Sequence, residues 1–187
     1  MELNDWLTII VPSSITIVGF LLSYLSTKKA YQQSIQQLKT EKQLADLYGI
    51  LDDVFRFLDL LTLLYKKPKT QPEDFDIMKD KITSTVRCAG TVDAVNILVH
   101  QNQMINSGLD DQIEVATSRL IAGYVLLAMQ IKYDVTGVEN SPLTWYTGKF
   151  TTQKVLEQST FYEDSIVAIN EIVDQLKLKP FLRISDM

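Results

Sequence analysis

Residues 6–29 read WLTIIVPSSITIVGFLLSYLSTKK, and the fold turns on what that stretch is. Residues 6–25 carry no charge, and Lys28 and Lys29 follow them. Twenty helical residues rise about 30 Å, the thickness of a bilayer's hydrocarbon core. A core helix of a soluble domain is usually interrupted by charge sooner. A secretory signal would open on a positive region and close on a small-residue cleavage site, whereas this stretch follows Glu2 and Asp5 and has no such site. The expectation is therefore an uncleaved transmembrane helix over residues 6–25.

Charge around the span sets its orientation. Acids precede it, and Lys28, Lys29, Lys39 and Lys42 follow, which places the C-terminal side in the cytoplasm. Residues 1–5 then form a short extracytoplasmic N-terminus. Trp6 and Tyr24 sit at the two membrane–water boundaries, where aromatic residues anchor a span. Lys28 and Lys29 are also placed to meet anionic lipid headgroups. The localisation read from this pattern is the inner (plasma) membrane, with a single pass.

The small and polar residues of the span follow a 4-3-4-3 spacing: Pro12, Thr16, Gly19, Ser23 and Ser26. That spacing gathers them on one stripe of a helix. Lipid does not push helices together, so close contact between membrane helices relies on small residues and hydroxyl groups. The stripe reads as a seam for self-association or as the lining of a shared pore. The plainer reading is that each hydroxyl bonds back to the carbonyl one turn earlier and that Pro12 only kinks the helix.

Beyond the span no proline occurs between residues 13 and 67. Residues 26–43 are polar apart from Tyr31, Ile35 and Leu38, and read as a solvated helical stalk. Residues 44–187 read as a cytosolic antiparallel four-helix bundle, so the fold class is all-α. Its first helix has an inner row of Leu44, Leu47, Leu51, Val54, Leu58, Leu61 and Tyr65, with Asp52, Arg56 and Asp59 paired along an outer strip. A second helix runs unbroken from Pro72 to Ser107-Gly108. A third opens at Asp111 and stops near Gly137. The connection VTGVENSPLTWYTGKF (135–150) leads to a last helix over 152–179, with Pro180 as its stop. Trp145, Tyr146 and Phe150 in that connection either plug the end of the bundle or form a partner contact.

Chemistry is sparse. One cysteine, Cys88, and one histidine, His100, exclude an internal disulfide and a Cys/His zinc cluster within one chain. The acidic groups at Glu73/Asp74/Asp76, Asp110/Asp111 and Glu163/Asp164 sit near helix starts, where acids suit the dipole, and no E-x-x-H accompanies them. No catalytic, cofactor or metal residues are assigned. Cys88 reads as a small core residue. His100 reads as a surface or helix-end histidine. An enzyme resembling the helical HEPN nucleases would need a divergent site around it, because the nearest preceding arginine, Arg87, is thirteen residues away. A net charge of −5, with no dense basic surface, argues against direct nucleic-acid binding.

These readings give a non-enzymatic, single-pass, membrane-anchored helical-bundle protein without cofactor. Its expected partners are membrane lipid, further copies of itself through the seam or a coiled coil, and a protein partner at the cytoplasmic face. The alternative is an oligomeric membrane pore, an effector of a bacterial antiviral defence or lysis system.

Overall fold

The computed structural model describes the backbone of residues 3–66, 74–106, 113–149 and 160–184. Side chains are described over 23–64, 74–104, 117–149 and 160–184. The described residues are all-helical, without a strand: α1 (Leu3–Lys66), α2 (Phe75–Ala89), α3 (Val92–Asn106), α4 (Ile113–Thr136), α5 (Leu143–Lys149) and α6 (Thr160–Leu176), then a 3-10 turn at Pro180–Leu182. The chain divides into two compact units, Met1–Lys42 and Gln43–Met187.

The first unit contains the N-terminal part of α1. Across its described side chains, 23–42, only Ile35 is partly covered, and Tyr24, Leu25, Tyr31 and Leu38 are exposed. Thr27 and Thr40 donate their hydroxyls to the carbonyls of Ser23 (2.8 Å) and Gln36 (3.0 Å), each one turn back. Among the described residues no helix is long and apolar enough to cross a membrane. The expected span, 6–25, lies outside the described side chains except for its last three residues.

The second unit is built around α4. Every residue from Ile121 to Ile131 is buried, so this middle stretch of the helix is covered on all faces and not on one. The reason is visible in the chain: no charge occurs between Arg119 and Lys132. A helix apolar all round belongs at a centre. α3 and α6 pack against it. From α1, Leu47, Ile50, Val54, Phe57, Leu58 and Leu61 enter the core. The Phe57 ring lies 4.7 Å from that of Tyr124 and 4.8 Å from that of Phe75.

The helix expected to run unbroken to Ser107-Gly108 is two helices. Gly90 is extended (φ −71°, ψ 155°), and a Cβ there would lie 2.5 Å from the Val86 carbonyl oxygen. Thr91 then starts α3: its carbonyl accepts from Val95 N–H (3.0 Å) and its hydroxyl from Ala94 N–H (3.4 Å), as a capping threonine does. Cys88, expected in the core, is exposed. The buried residues of α2 are Ile82 and Val86, one turn apart, and Cys88 lies two residues beyond them on another face.

The connection after α4 carries a helix of its own. Ser141 receives Leu143 N–H on its hydroxyl (3.3 Å) and Thr144 N–H on its carbonyl (3.0 Å), with Pro142 just before the first helical residue. α4 ends where expected, at Gly137. That residue is left-handed (φ +69°) and donates its N–H to the Tyr133 carbonyl (2.7 Å). α6 is described from Thr160, and the expected start near 152 falls outside the described residues. Its end is a Schellman turn: Lys177 is left-handed (φ 52°), and Leu178 N–H bonds the Val173 carbonyl at 3.0 Å. The tail is held by Asn170, whose amide accepts from Ile184 N–H and donates to the Ile184 carbonyl, both at 3.0 Å. Leu178, Leu182 and Ile184 are thereby buried.

Candidate functional site

Of the seam residues, Pro12, Thr16 and Gly19 lie outside the described side chains, as does Trp6. Ser23, Tyr24, Ser26, Lys28 and Lys29 are all exposed on α1. In the connection, Tyr146 is fully buried, with its ring 5.8 Å from Tyr162 and 6.5 Å from Phe161. Burial raises the pKa of its phenol, so the group stays neutral. Trp145 is half-buried and meets Tyr146 edge-on at 4.9 Å. Phe150 lies outside the described residues.

His100 is half-buried on α3, and that burial holds its imidazole below the usual value of 6.5. At neutral pH it is an uncharged ring. Among the described residues no group of three or more His, Cys, Asp or Glu side chains is arranged to hold a metal ion.

Two polar clusters stand in or beside the core. Asp134, near the end of α4, accepts from the Thr91 hydroxyl (2.6 Å) and the Gln130 amide (2.8 Å). Partial burial raises its carboxyl pKa, while those two hydrogen bonds and Lys179 pull it back. Lys179 also lies over the Tyr133 ring, 3.6 Å from its centroid, within cation–π range. This cluster ties the start of α3, the end of α4 and the tail together. The second cluster is Gln101 of α3, fully buried against Gly123 of α4, with no hydrogen-bond partner for its amide among the described residues.

Matched against protein-family models, curated proteins and solved structures, the chain finds no counterpart in any of the three.

Two grooves open among the described residues of the second unit. One lies between α1 and α2, about 540 Å³ in volume, bordered by Asp46, Gly49, Ser84 and Cys88 and crossed by an Asp53–Lys81 ion pair of 2.7 Å. The other, about 450 Å³, lies between α1, α4 and α5. Phe55 and Trp145 are its apolar members, with Met129 nearly buried behind them, and Asp59, Lys132, Asn140, Thr144 and Lys149 make the rest of its lining polar. Asp59 is ion-paired to Lys149, and Lys132 donates to Asn140 Oδ1 at 3.1 Å. Of the strip expected along α1, Arg56 does pair with Asp52 one turn back (2.9 Å), while Asp59 takes Lys149. Only Trp145 of this second groove stands out in the sequence. Lys149 lies one turn after Trp145 on α5, but Lys132 lies thirteen residues before it on α4 with no pattern to join them, and the groove exists only because α5 folds back.

Proposed function

We propose that the chain is a single-pass membrane protein whose cytoplasmic helical part binds a protein partner, or relays a signal, as a homo-oligomer. Residues 6–25 span the bilayer, 26–43 form the stalk, and 44–187 form the antiparallel bundle. Its four arms are the remainder of α1, α2 with α3, α4, and α6. The reading is non-enzymatic. One observation carries it: an uncharged stretch of twenty residues with acids before it and lysines after it.

The exposure of residues 23–42 supports self-association. A helix without tertiary packing is marginal in water, and this one leaves Tyr24, Leu25, Tyr31 and Leu38 uncovered. A second copy supplies what that helix lacks. The stripe of Pro12, Thr16, Gly19, Ser23 and Ser26 gives the contact its side.

Cysteine crosslinking in membranes tests this. In a Cys88→Ser background, Ser26→Cys on the stripe should give a disulfide-linked dimer under mild oxidation, and Leu25→Cys beside it markedly less. Equal crosslinking at both positions, or none at either, would remove the seam.

The same stripe favours a second reading, an oligomeric pore serving a bacterial defence or lysis system. Replacing Thr16, Gly19 and Ser23 together with leucine should abolish conductance across planar bilayers. Unchanged conductance, or none in the wild type, would remove the pore.

A further inference from the structure

One carboxylate joins three pieces of the second unit. Asp134 stands in the last turn of α4. Its Oδ2 accepts the Thr91 hydroxyl (2.6 Å), and its Oδ1 accepts the Gln130 amide (2.8 Å). Thr91 in turn caps α3, and Lys179 attracts the carboxylate from the tail. Three features of the place disfavour the charge. The last turn of a helix presents unpaired carbonyl oxygens, and α4 has no basic residue there. Asp93, at the start of α3, is a second negative charge acting on Asp134. The carboxyl is also half-buried. Among the described residues, Lys179 is the cation that opposes these effects.

Gln130 supplies the acceptor that a neutral carboxyl needs. It is 1% exposed, and its Oε1 has no partner among the described residues while its Nε2 serves Asp134. The two ends of a carboxamide are nearly alike in size, so a half-turn about its last bond exchanges them. With Oε1 towards Asp134, the amide accepts a hydrogen bond from a protonated Oδ1. One amide atom is left unpartnered in either orientation, so the glutamine itself favours neither charge state.

We propose that Thr91, Gln130 and Asp134 form a latch that survives protonation: as Asp134 takes up a proton, Gln130 turns over, Oδ1–H donates to its Oε1, and the Thr91 bond to Oδ2 is kept. Acid then tightens this end of the unit instead of opening it, and removes the negative charge that Lys179 faces. The direction of the carboxyl pKa, raised by burial, agrees. A carboxyl that binds its proton more readily in the folded chain adds stability as pH falls through its folded value, in full only below the ordinary 3.8. The latch does not depend on the membrane reading, because every member belongs to the second unit.

Asp134→Asn is the fixed neutral form: its Nδ2 donates to Gln130 Oε1, and its Oδ1 accepts from Thr91. In the full chain, in mild detergent at about pH 7, its Tm should equal or exceed that of the wild type. Asp134→Ala, which loses both bonds, should fall by about 5 °C. As the pH is lowered to about 4.5, the wild type should gain in Tm relative to Asp134→Asn. Carbon-13 NMR of labelled aspartate, with Asp134→Asn to assign the signal, should place the carboxyl midpoint above 3.8. The side-chain amide signals of Gln130 should move with that same midpoint, which a merely structural aspartate would not cause. A midpoint at or below 3.8 would overturn the inference, as would Gln130 signals that do not follow it. So would an Asp134→Asn variant no more stable at neutral pH than Asp134→Ala.

Discussion

Replacing Gly123 with alanine tests how α3 is seated on α4. An alanine Cβ at 123 would lie 1.7 Å from Gln101 Nε2 and 1.9 Å from its Cδ. Ordinary contact begins near 3.4 Å, so the carboxamide must retreat by about 2 Å. A flexible side chain at the surface would simply swing away. Gln101 is fully buried, as are Ile97 and Leu98 on its own helix and the α4 residues from Ile121 to Ile131. Two terms oppose each other. Alanine gains about 1 kcal/mol over glycine inside a helix. Overpacking a filled core costs about 1–3 kcal/mol. The net expectation is a loss of about 1 kcal/mol, or about 2–4 °C in Tm for a chain of this size. The sign should reverse once the glutamine is shortened. In a Gln101→Ala background the new methyl has room, and Gly123→Ala should stabilise by up to about 1 kcal/mol. The coupling between the two sites is then about 2 kcal/mol. Thermal unfolding of the full chain in mild detergent, followed by circular dichroism for the four members of the cycle, measures it. If Gly123→Ala raises Tm equally in both backgrounds, the close approach of α3 and α4 at this point is wrong.

Three further predictions follow from particular residues. Gly137→Ala should destabilise by about 1 kcal/mol, because its left-handed φ strains any side chain although nothing lies near enough to clash; unfolding of the variant checks it. Lys177→Gly should do the reverse, gaining about 0.5–1 kcal/mol by relieving the same conformation at the end of α6; no gain in Tm would place that turn elsewhere. The single imidazole should titrate below 6.5 by NMR, since His100 is partly desolvated in the folded chain. Its sign is that of a lowered base: the unfolded chain takes the proton first, so stability is full above 6.5 and falls as pH drops from there through the folded value. His100→Gln should remove that part of the pH dependence; a pKa at or above 6.5 would show the ring to be fully solvated.

The legible parts of the fold were those fixed by local chemistry. Gly137 after an apolar run marks a helix stop because only a left-handed residue closes that turn cheaply. Of the expected inner row of α1, Leu47, Val54, Leu58 and Leu61 are buried and Leu51 half-buried, but Leu44 is exposed and Tyr65 lies outside the described side chains; Ile50 and Phe57, off that row, are buried as well. The break at Gly90 was also written locally, as a glycine followed by a capping threonine, but the flanking apolar pattern continues through it and hides it. The same holds for α5, where Ser141-Pro142 is a helix-start pair inside a stretch otherwise rich in turn residues. What no local pattern carries is pairing at a distance. Asp59 has a suitable partner three residues before it on its own helix, yet it takes Lys149 from another, because α5 folds back to bring that ammonium near. The second groove inherits this: Phe55, Met129 and Lys132 are ordinary residues of their helices until α5 closes over them. Trp145 alone was conspicuous, since an indole is expensive to leave in water.

Extraction of membranes from cells making the full chain tests the central claim most directly. Membranes washed in alkaline carbonate shed proteins held only by surface contacts and retain those with a segment in the hydrocarbon. If residues 6–25 lie in the bilayer, the intact chain stays with the pellet and is released only by detergent. Recovery of the intact chain in the carbonate supernatant would contradict the account.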